Sequence, residues 1–458
     1  MCPVQSRAAS SCKGWPIGGA HAKPIGRALG ANESVCRCTV PPAPPGDPGE
    51  LTDRVDRVVG LEEQRGRIRT CSNLFMTVQG HADSAFDAVR EIFAANLAEG
   101  RDLGGAVAVY VEGRAVVDLW GGVADRKSGR AWERETPCVA FSCTKALTAT
   151  AALRVSVETG IGVEEPVARW WPEFAVEGKE RTTLADLLAH RAGLPAFDRA
   201  VTVAEAADPA AMAAQLATQR PVWEPGAEHG YHGLTFGWLA GEFVRRHTGG
   251  SVADYVREHF GPELCLGIPE VTPARTTFPR RSGGSSRTST EWTANDSGDS
   301  VTARLARAYA DPGSLVMRGS TNPSASYSDP AVQAGGWPAS GLITTARALA
   351  RFYRDLGDGA LLPRNVLREA AVEQVRGPDR VLMLESAFGL GYMLPSQTLL
   401  LPVAARETAF GHPGSGGSLG LADPEHGVAF GFIPNLRRDG LDGDTRAHDL
   451  VAAVYEAL

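Results

Sequence analysis

Apolar residues recur at both ends of this chain in runs that predict β-hairpins. Residues 106–110 and 115–119 are apolar segments on either side of the turn Glu112-Gly113-Arg114, which is typical of two antiparallel strands. Residues 416–422 and 428–434 flank a second turn at 424–427 in the same way. The sequence therefore predicts one hairpin near each end of the folded part.

Helical spacing of apolar residues predicts further elements beside these hairpins. Ser84 is expected to cap a helix that ends at Gly100. A buried helix is expected from residue 141 to about residue 158, ending at Gly160. Thr345 and Asp444 are expected to cap two more helices, the second of which closes the chain.

A helix and a hairpin at each end, around a helical middle, predict how the chain is organised. We expect an α+β fold in which one antiparallel sheet is built from N- and C-terminal segments and flanked by helices. A mainly helical subdomain is inserted at roughly 161–330, since residues 161–270 have mostly helical patterns. Residues 281–300 are small and polar and are expected to form a mobile surface loop.

The first 75 residues differ from the rest. The proline-rich stretch 41–48 cannot build a helix or a central strand, and basic residues outnumber acidic ones. No apolar core follows the first basic residue, which argues against a secretory signal. We expect residues 1–75 to be a disordered or untranslated extension and residues 76–458 to be the catalytic domain.

Composition narrows the classes of function. The net charge of −7 argues against a nucleic-acid-binding surface, and no apolar run reaches the roughly 18–20 residues that span a bilayer. Five of the eight cysteines lie in the first 75 residues, and their spacing favours neither a disulfide framework nor a metal site. Reduced thiols in a cytoplasmic protein are the simpler interpretation.

The first motif that carries chemistry is Ser142-Cys143-Thr144-Lys145, at the start of the predicted buried helix. Residues i and i+3 lie on one side of a helix, so the Lys145 amine can reach the Ser142 hydroxyl. Desolvation lowers the pKa of a lysine, which lets it act as the base that activates a serine nucleophile. The spacing also arises by chance, and a helix-capping serine beside a solvated lysine is the alternative.

Two further motifs can complete a site. Tyr231, in Tyr231-His232-Gly233, precedes a predicted helix and can move a proton if its phenolate is favoured by a nearby lysine cation; packing at the helix start is the alternative. The segment His412-Pro413-Gly414-Ser415 enters the last hairpin. Because Pro413 has no N–H, its strand should be an edge, along which a substrate can lie. An ordinary glycine-rich turn is the alternative.

The order Ser-x-x-Lys, Tyr, His-x-Gly resembles the serine β-lactamase and penicillin-binding superfamily, and most closely its family VIII carboxylesterases. The resemblance runs from about residue 80 to the end of the chain and includes 187–195, Leu-Leu-Ala-His-Arg-Ala-Gly-Leu-Pro. It implies Ser142 as nucleophile, Lys145 as base and Tyr231 as proton shuttle. It also implies an oxyanion hole from the backbone N–H groups of Ser142 and Ser415, an acyl-enzyme, and no cofactor or metal.

Departures from the family pattern bear on the substrate. Gly233 stands where β-lactamases have an asparagine, and His412-Pro413-Gly414 stands for Lys-Thr-Gly. The lost lysine and threonine normally help to hold a carboxylate, so a neutral ester fits better than a β-lactam. The expected substrate-binding positions are His412, Gly414, Gly233 and Trp337. For Trp337, as for Trp223 and Trp238, packing in the core is the simpler interpretation.

Two other nucleophiles compete with Ser142. Residues 416–420 match Gly-x-Ser-x-Gly, but that pattern needs a strand before Ser418 and a helix after it, and a strand is predicted to follow. Cys143 lacks a histidine partner and is expected to pack on its helix. We therefore expect a serine carboxylesterase for small-molecule esters, with a β-lactamase, a D-aminopeptidase or amidase, an acyltransferase and a non-catalytic binding protein as alternatives.

Overall fold

A computed structural model describes residues 77–277, 301–438 and 444–458, with the side chains of residues 301 and 302 left aside. The predicted extension at 1–75 and the predicted loop at 281–300 lie outside these residues. Within the described ranges, no helix is both long and apolar enough to cross a bilayer.

The described residues form twelve strands, numbered here in chain order. They are β1 Gln79–Ala82, β2 Gly104–Val111, β3 Arg114–Asp125, β4 Arg130–Ala131, β5 Cys138–Phe141, β6 Cys265–Leu266, β7 Leu342–Thr344, β8 Val375–Pro378, β9 Glu385–Phe388, β10 Phe410–Pro413, β11 Leu419–Asp423 and β12 Val428–Pro434.

The α-helices of the same residues are numbered in the same way, and four single-turn 3-10 helices accompany them. They are α1 Asp87–Ala98, α2 Thr144–Thr159, α3 Leu184–Leu188, α4 Val203–Ala206, α5 Pro209–Thr218, α6 Thr235–Thr248, α7 Val252–His259, α8 Val301–Ala310, α9 Leu315–Thr321, α10 Pro330–Ala334, α11 Ala346–Gly357, α12 Arg364–Ala370 and α13 Arg446–Glu456.

The main sheet joins strands from both ends of the chain. Its order is β1-β3-β2-β12-β11-β10, with β4 paired to β3, and every pairing is antiparallel. At the seam between β2 and β12, Ala108 lies opposite Gly431. The predicted α+β fold, with an antiparallel sheet from the N- and C-terminal segments, is confirmed.

The side chains of successive residues in β2 point to opposite faces of the sheet, as in any strand, and pack into two separate hydrophobic cores. Val107 and Val109 pack with α1 and α13 on one face of the sheet. Ala106 and Ala108 pack on the other face, where α11 crosses β2 and β12. Helix α2 contributes to this second core and packs against α6.

Local details confirm some element boundaries and correct others. Thr345 caps α11 by accepting the N–H of Ala348 at 3.1 Å, as predicted. Ser84 does not cap α1, because it opens a 3-10 turn that leads into the helix. The N-cap of α13 is Thr445, and Asp444 stands one residue before it. The Asp444 carboxylate accepts both the backbone N–H of Arg446 at 3.2 Å and its side-chain Nε at 2.8 Å.

The last hairpin is shorter than predicted at its start. Residues 414–418 form a tight turn, in which the Gly417 N–H donates to the Gly414 carbonyl, so β11 begins only at Leu419. Strand β10, which contains Pro413, lies at the edge of the main sheet, as the missing N–H of proline predicts. The tight turn therefore projects from an edge strand, beside β5.

Candidate active site

Ser142 lies between the end of β5 and the first turn of α2. The backbone reaches it through a strained residue, since Phe141 has a φ of 48°, and a register shift interrupts the pairing of β5 with β7 just before it. Non-glycine residues in this left-handed region are uncommon and cluster at functional sites. The bend places the Ser142 side chain at the N-terminal end of a helix whose first turns are buried.

Lys145 is fully buried one helical turn after Ser142. Its Nζ lies 3.3 Å from Ser142 Oγ and donates to the carbonyl oxygens of Gly233 at 2.7 Å and Ala339 at 3.1 Å. Burial lowers the pKa of Lys145 well below its usual value. A neutral amine has two N–H donors and one lone pair, so the two carbonyls use both donors and leave the lone pair for the serine hydroxyl.

Tyr231 is half-buried in the loop before α6, with Lys145 Nζ 4.7 Å from the centre of its ring. Its ring stacks on Phe388 and lies 5.9 Å from His412. Burial raises the pKa of Tyr231, and an interaction with the Ser142 side chain only partly opposes this. Burial favours the neutral form of both groups, which argues against the expected phenolate beside a lysine cation.

Asp379 anchors the Tyr231 loop, and nothing in the sequence pattern pointed to it. This buried carboxylate accepts the N–H of Tyr231 at 3.1 Å through Oδ1, which also accepts the N–H groups of Val381 and Leu382. Its Oδ2 accepts the hydroxyl of Ser386. The segment between β8 and β9 is thus tied directly to the backbone of Tyr231.

Two buried histidines brace the same loop from the other side. His190, at a φ of 60°, accepts the N–H of His232 at 3.0 Å through Nδ1. His232 donates from Nδ1 to Gly230 and accepts the N–H of Leu194 at Nε2, a pattern that only the neutral ring allows. Burial lowers the pKa of His232 to about 3. Both histidines lie in segments that the sequence analysis singled out, but neither was predicted to have this role.

The turn that contains Ser415 packs against the end of β5, next to Ser142. Ser418 Oγ donates to the Ala140 carbonyl at 3.0 Å, and a Cβ on Gly414 would collide with both groups. Among the described residues, the backbone N–H groups of Ser142 and Ser415 donate to no partner. Two free N–H groups near one hydroxyl suit an oxyanion hole.

His412 lies under Tyr231 and is 1% exposed. Its Nδ1 donates to the Pro413 carbonyl at 2.7 Å, and within the described residues its buried Nε2 has no hydrogen-bond partner. Burial, followed by the proximity of Lys145, lowers the pKa of His412 to about 3. The ring at this position therefore carries no positive charge at neutral pH.

The remaining predicted binding positions differ in access. A Cβ on Gly233 would lie 2.6 Å from the carbonyl oxygen of Gly319, so α9 occupies the space where a longer side chain would project. Trp337 is 1% exposed and packs against Trp238 and Tyr327 in the core. Its burial argues against the predicted substrate contact, and Tyr327 is the more accessible ring.

The competing nucleophiles are both buried. Cys143 donates its thiol to the His412 carbonyl at 3.2 Å, and burial raises its pKa to about 12. Ser418 is 3% exposed, and the strand β11 follows it where a nucleophile elbow requires a helix. Within the described residues, no group of three His, Cys, Asp or Glu side chains is arranged to hold a metal ion.

Comparisons with known proteins agree on one family. The profile of the family described as "Beta-lactamase" matches residues 89–454. The chain is 33% identical over 381 residues to "Esterase/beta-lactamase LipL" of Mycobacterium tuberculosis (strain ATCC 25618 / H37Rv), covering 78% of this chain and 83% of that protein. A crystal structure of a family VIII carboxylesterase superposes with a TM-score of 0.72 at 29% identity, covering 83% of this chain and all of that one (100%). A penicillin-binding protein homologue from Caulobacter crescentus gives 0.71 at 32% identity, with the same two coverages, 83% and 100%.

Proposed function

The chain belongs to the beta-lactamase family, and from that premise we propose that it is a serine hydrolase that cleaves small carboxylic esters through an acyl-Ser142 intermediate. The likeness to a family VIII carboxylesterase supports the ester as substrate. The observation that carries the proposal is the Lys145 amine, whose two N–H donors are used by carbonyls while its lone pair is left for Ser142.

Acylation begins when Ser142 Oγ attacks the ester carbonyl and passes its proton to Lys145 Nζ. The negative charge that develops on the carbonyl oxygen is held by the N–H groups of Ser142 and Ser415. Tyr231 then protonates the departing alkoxide, and the Lys145 ammonium returns a proton to the phenolate. The alcohol leaves, the acyl group stays on Ser142, and both Lys145 and Tyr231 are neutral again.

Deacylation repeats the same proton transfers with water as the nucleophile. Water attacks the acyl carbonyl and passes one proton to Lys145 Nζ. As the tetrahedral intermediate collapses, the Lys145 ammonium gives that proton to the departing Ser142 Oγ. The products are a carboxylic acid and the free enzyme, so atoms and charge balance. An alcohol in place of water would give acyl transfer.

A neutral ester is the substrate that the charges of the site favour. His412 stands where a lysine would help to hold a carboxylate, and burial keeps its ring uncharged. Gly233 has no side chain and so lacks the amide that β-lactamases place here. Gly319 occupies the space that such a side chain would need. We therefore propose that esters are turned over far faster than β-lactams.

Hydrolysis of p-nitrophenyl acetate and butyrate, run beside the β-lactam nitrocefin, tests the proposal. We expect wild-type turnover of both esters, loss of at least about 10³-fold in Ser142→Ala, and little nitrocefin cleavage. Ser418→Ala is the matched control, since it removes the competing serine in the adjacent turn, and it should keep most of the ester activity. Ester turnover that survives Ser142→Ala would refute the nucleophile, and fast nitrocefin turnover would refute the substrate class.

A fluorophosphonate label followed by peptide mass spectrometry separates catalysis from mere binding. An active serine hydrolase is labelled at Ser142, and Lys145→Met should abolish labelling because the hydroxyl then has no base. Absence of a label on the wild-type protein would favour the non-catalytic alternative.

We also propose a reducing compartment such as the cytoplasm, because Cys138, Cys143 and Cys265 are free thiols. The proposed catalytic domain, residues 76–458, is supported by the family match over residues 89–454 and by the first strand, which begins at Gln79. The mass of the native N-terminus tests that boundary.

A further inference from the structure

Arg446 is a fully buried arginine that the proposed mechanism does not use. It is the first residue of α13, and its Nη2 donates to the Gly416 carbonyl at 2.8 Å, within the turn that contains Ser415. The guanidinium also binds the carboxylates of Asp102 and Asp444. A buried cation therefore touches the backbone of the turn that supplies the proposed oxyanion hole.

Hydrogen bonds within the turn connect this contact to Ser415. The peptide group that links Gly416 to Gly417 receives the Arg446 bond at its carbonyl and donates its N–H to the Gly414 carbonyl at 3.1 Å. The Gly414 carbonyl belongs to the same peptide group as the N–H of Ser415. Each bond polarises the next peptide, so charge at Arg446 strengthens Ser415 as a donor.

We propose that Arg446 is a positioning residue that orients and polarises the Ser415 N–H through the Gly416–Gly417 and Gly414–Ser415 peptides. The inference rests on the proposed function, because it assigns Ser415 to the oxyanion hole. Arg446 never touches the substrate. Arg446 therefore strengthens only the hydrogen bond that the Ser415 N–H makes as negative charge develops on the reacting carbonyl oxygen.

The hydrogen bonds of Arg446 explain why this position needs a guanidinium group, which carries donors on three nitrogen atoms in one plane. Its Nη1 donates to the Leu436 and Arg101 carbonyls and to Asp102, while Nε and Nη2 bind Asp444. A lysine has three donors on one atom and cannot serve all these acceptors. Gly417, at a φ of 107°, completes the fit, because a Cβ there would lie 2.5 Å from Nη2.

The test compares Arg446→Lys with Asp102→Asn. Both variants disturb the same buried ion pair, but only Arg446→Lys removes the bond to Gly416. The probes are kcat and KM for p-nitrophenyl acetate and the inhibition constant of phenylboronic acid, whose tetrahedral Ser142 adduct places an oxygen in the oxyanion hole. Thermal unfolding reports the stability of each variant.

For Arg446→Lys we expect kcat/KM and boronic acid affinity to fall together by about tenfold with little change in KM, which is less than the loss caused by deleting an oxyanion donor outright. For Asp102→Asn, kcat/KM and boronic acid affinity should both stay within about twofold of wild type. This should hold even if its melting temperature falls as much as that of Arg446→Lys. Equal behaviour of the two variants would overturn the inference. Wild-type protein without Ser142-dependent turnover would instead refute the proposed function.

If Arg446→Lys does not fold, Gly417→Ala replaces it. The added methyl would lie 2.5 Å from Arg446 Nη2 and 2.6 Å from Asp444 Oδ2, so it would displace the guanidinium and the Asp444 carboxylate from the turn together. The same parallel loss of kcat/KM and boronic acid affinity is expected. Boronic acid affinity that stays at the wild-type value would overturn the inference.

Discussion

Replacing Asp379 with alanine should weaken both the fold and the loop that carries Tyr231, the proposed proton shuttle. The substitution strands the backbone N–H groups of Tyr231, Val381 and Leu382, which all donate to Asp379 Oδ1. At about 1 kcal/mol for each buried donor left without a partner, the free energy of unfolding should fall by about 3 kcal/mol. Because Tyr231 then loses its backbone anchor, kcat should also fall roughly tenfold.

Asp379→Asn is the matched control, because its amide oxygen can still accept all three N–H groups. It loses only the hydroxyl of Ser386, which can turn toward His229 Nε2 at 2.9 Å. Its free energy of unfolding should fall by about 1 kcal/mol. Urea unfolding followed by tryptophan fluorescence measures both variants. Equal stability of the alanine and asparagine variants would refute this account of how the loop is held.

Four further outcomes follow from the site. Lys145→Arg should lower kcat/KM by at least about 10²-fold, because a guanidinium keeps its protons at neutral pH; a loss below tenfold in steady-state kinetics would contradict the role of base. Wild-type kcat/KM should rise with pH as Lys145 loses its proton, and burial should place this rise well below pH 10, so a midpoint near 10 in the pH profile would count against a desolvated amine. Gly233→Asn should lower ester turnover without creating nitrocefin hydrolysis, since Gly319 blocks the side chain; a gain in nitrocefin turnover would show that the space exists. Iodoacetamide at pH 8 should leave Cys143 unmodified, because burial raises its pKa to about 12, and peptide masses would reveal any alkylation.

The parts of the fold that the sequence predicts are those set by local periodicity. The apolar runs at 106–119 are enough to predict the hairpin of β2 and β3, because alternate residues pack into the two cores on either side of the sheet. The missing N–H of Pro413 suffices for an edge strand. The spacing of Ser142 and Lys145 suffices for their proximity, since one helical turn separates them.

The parts that the sequence does not predict depend on contacts between distant segments. Asp379 is 148 residues from Tyr231, and Arg446 is 30 residues from Gly416, so no periodic pattern links either pair. The ionisation states of Lys145 and Tyr231 depend on burial from several elements at once. Trp337 was predicted to contact the substrate but is buried in the core. The sequence could not separate the two positions, because an aromatic residue near a motif has the same pattern in either one.

The pairing of β2 with β12, strands from opposite ends of the chain, has a consequence for the nascent chain on the ribosome. Asn435, just beyond β12, donates to the carbonyl of Val123 in β3, 312 residues earlier. At translation rates of about 5–20 residues per second, tens of seconds separate the synthesis of these partners. For most of that interval one edge of β2 has no partner strand, and the turn that contains Ser415 has not yet been synthesised. Ser142, the proposed nucleophile, therefore leaves the exit tunnel long before the proposed site can form, and a chaperone that shields β2 would protect a protein that is still inactive.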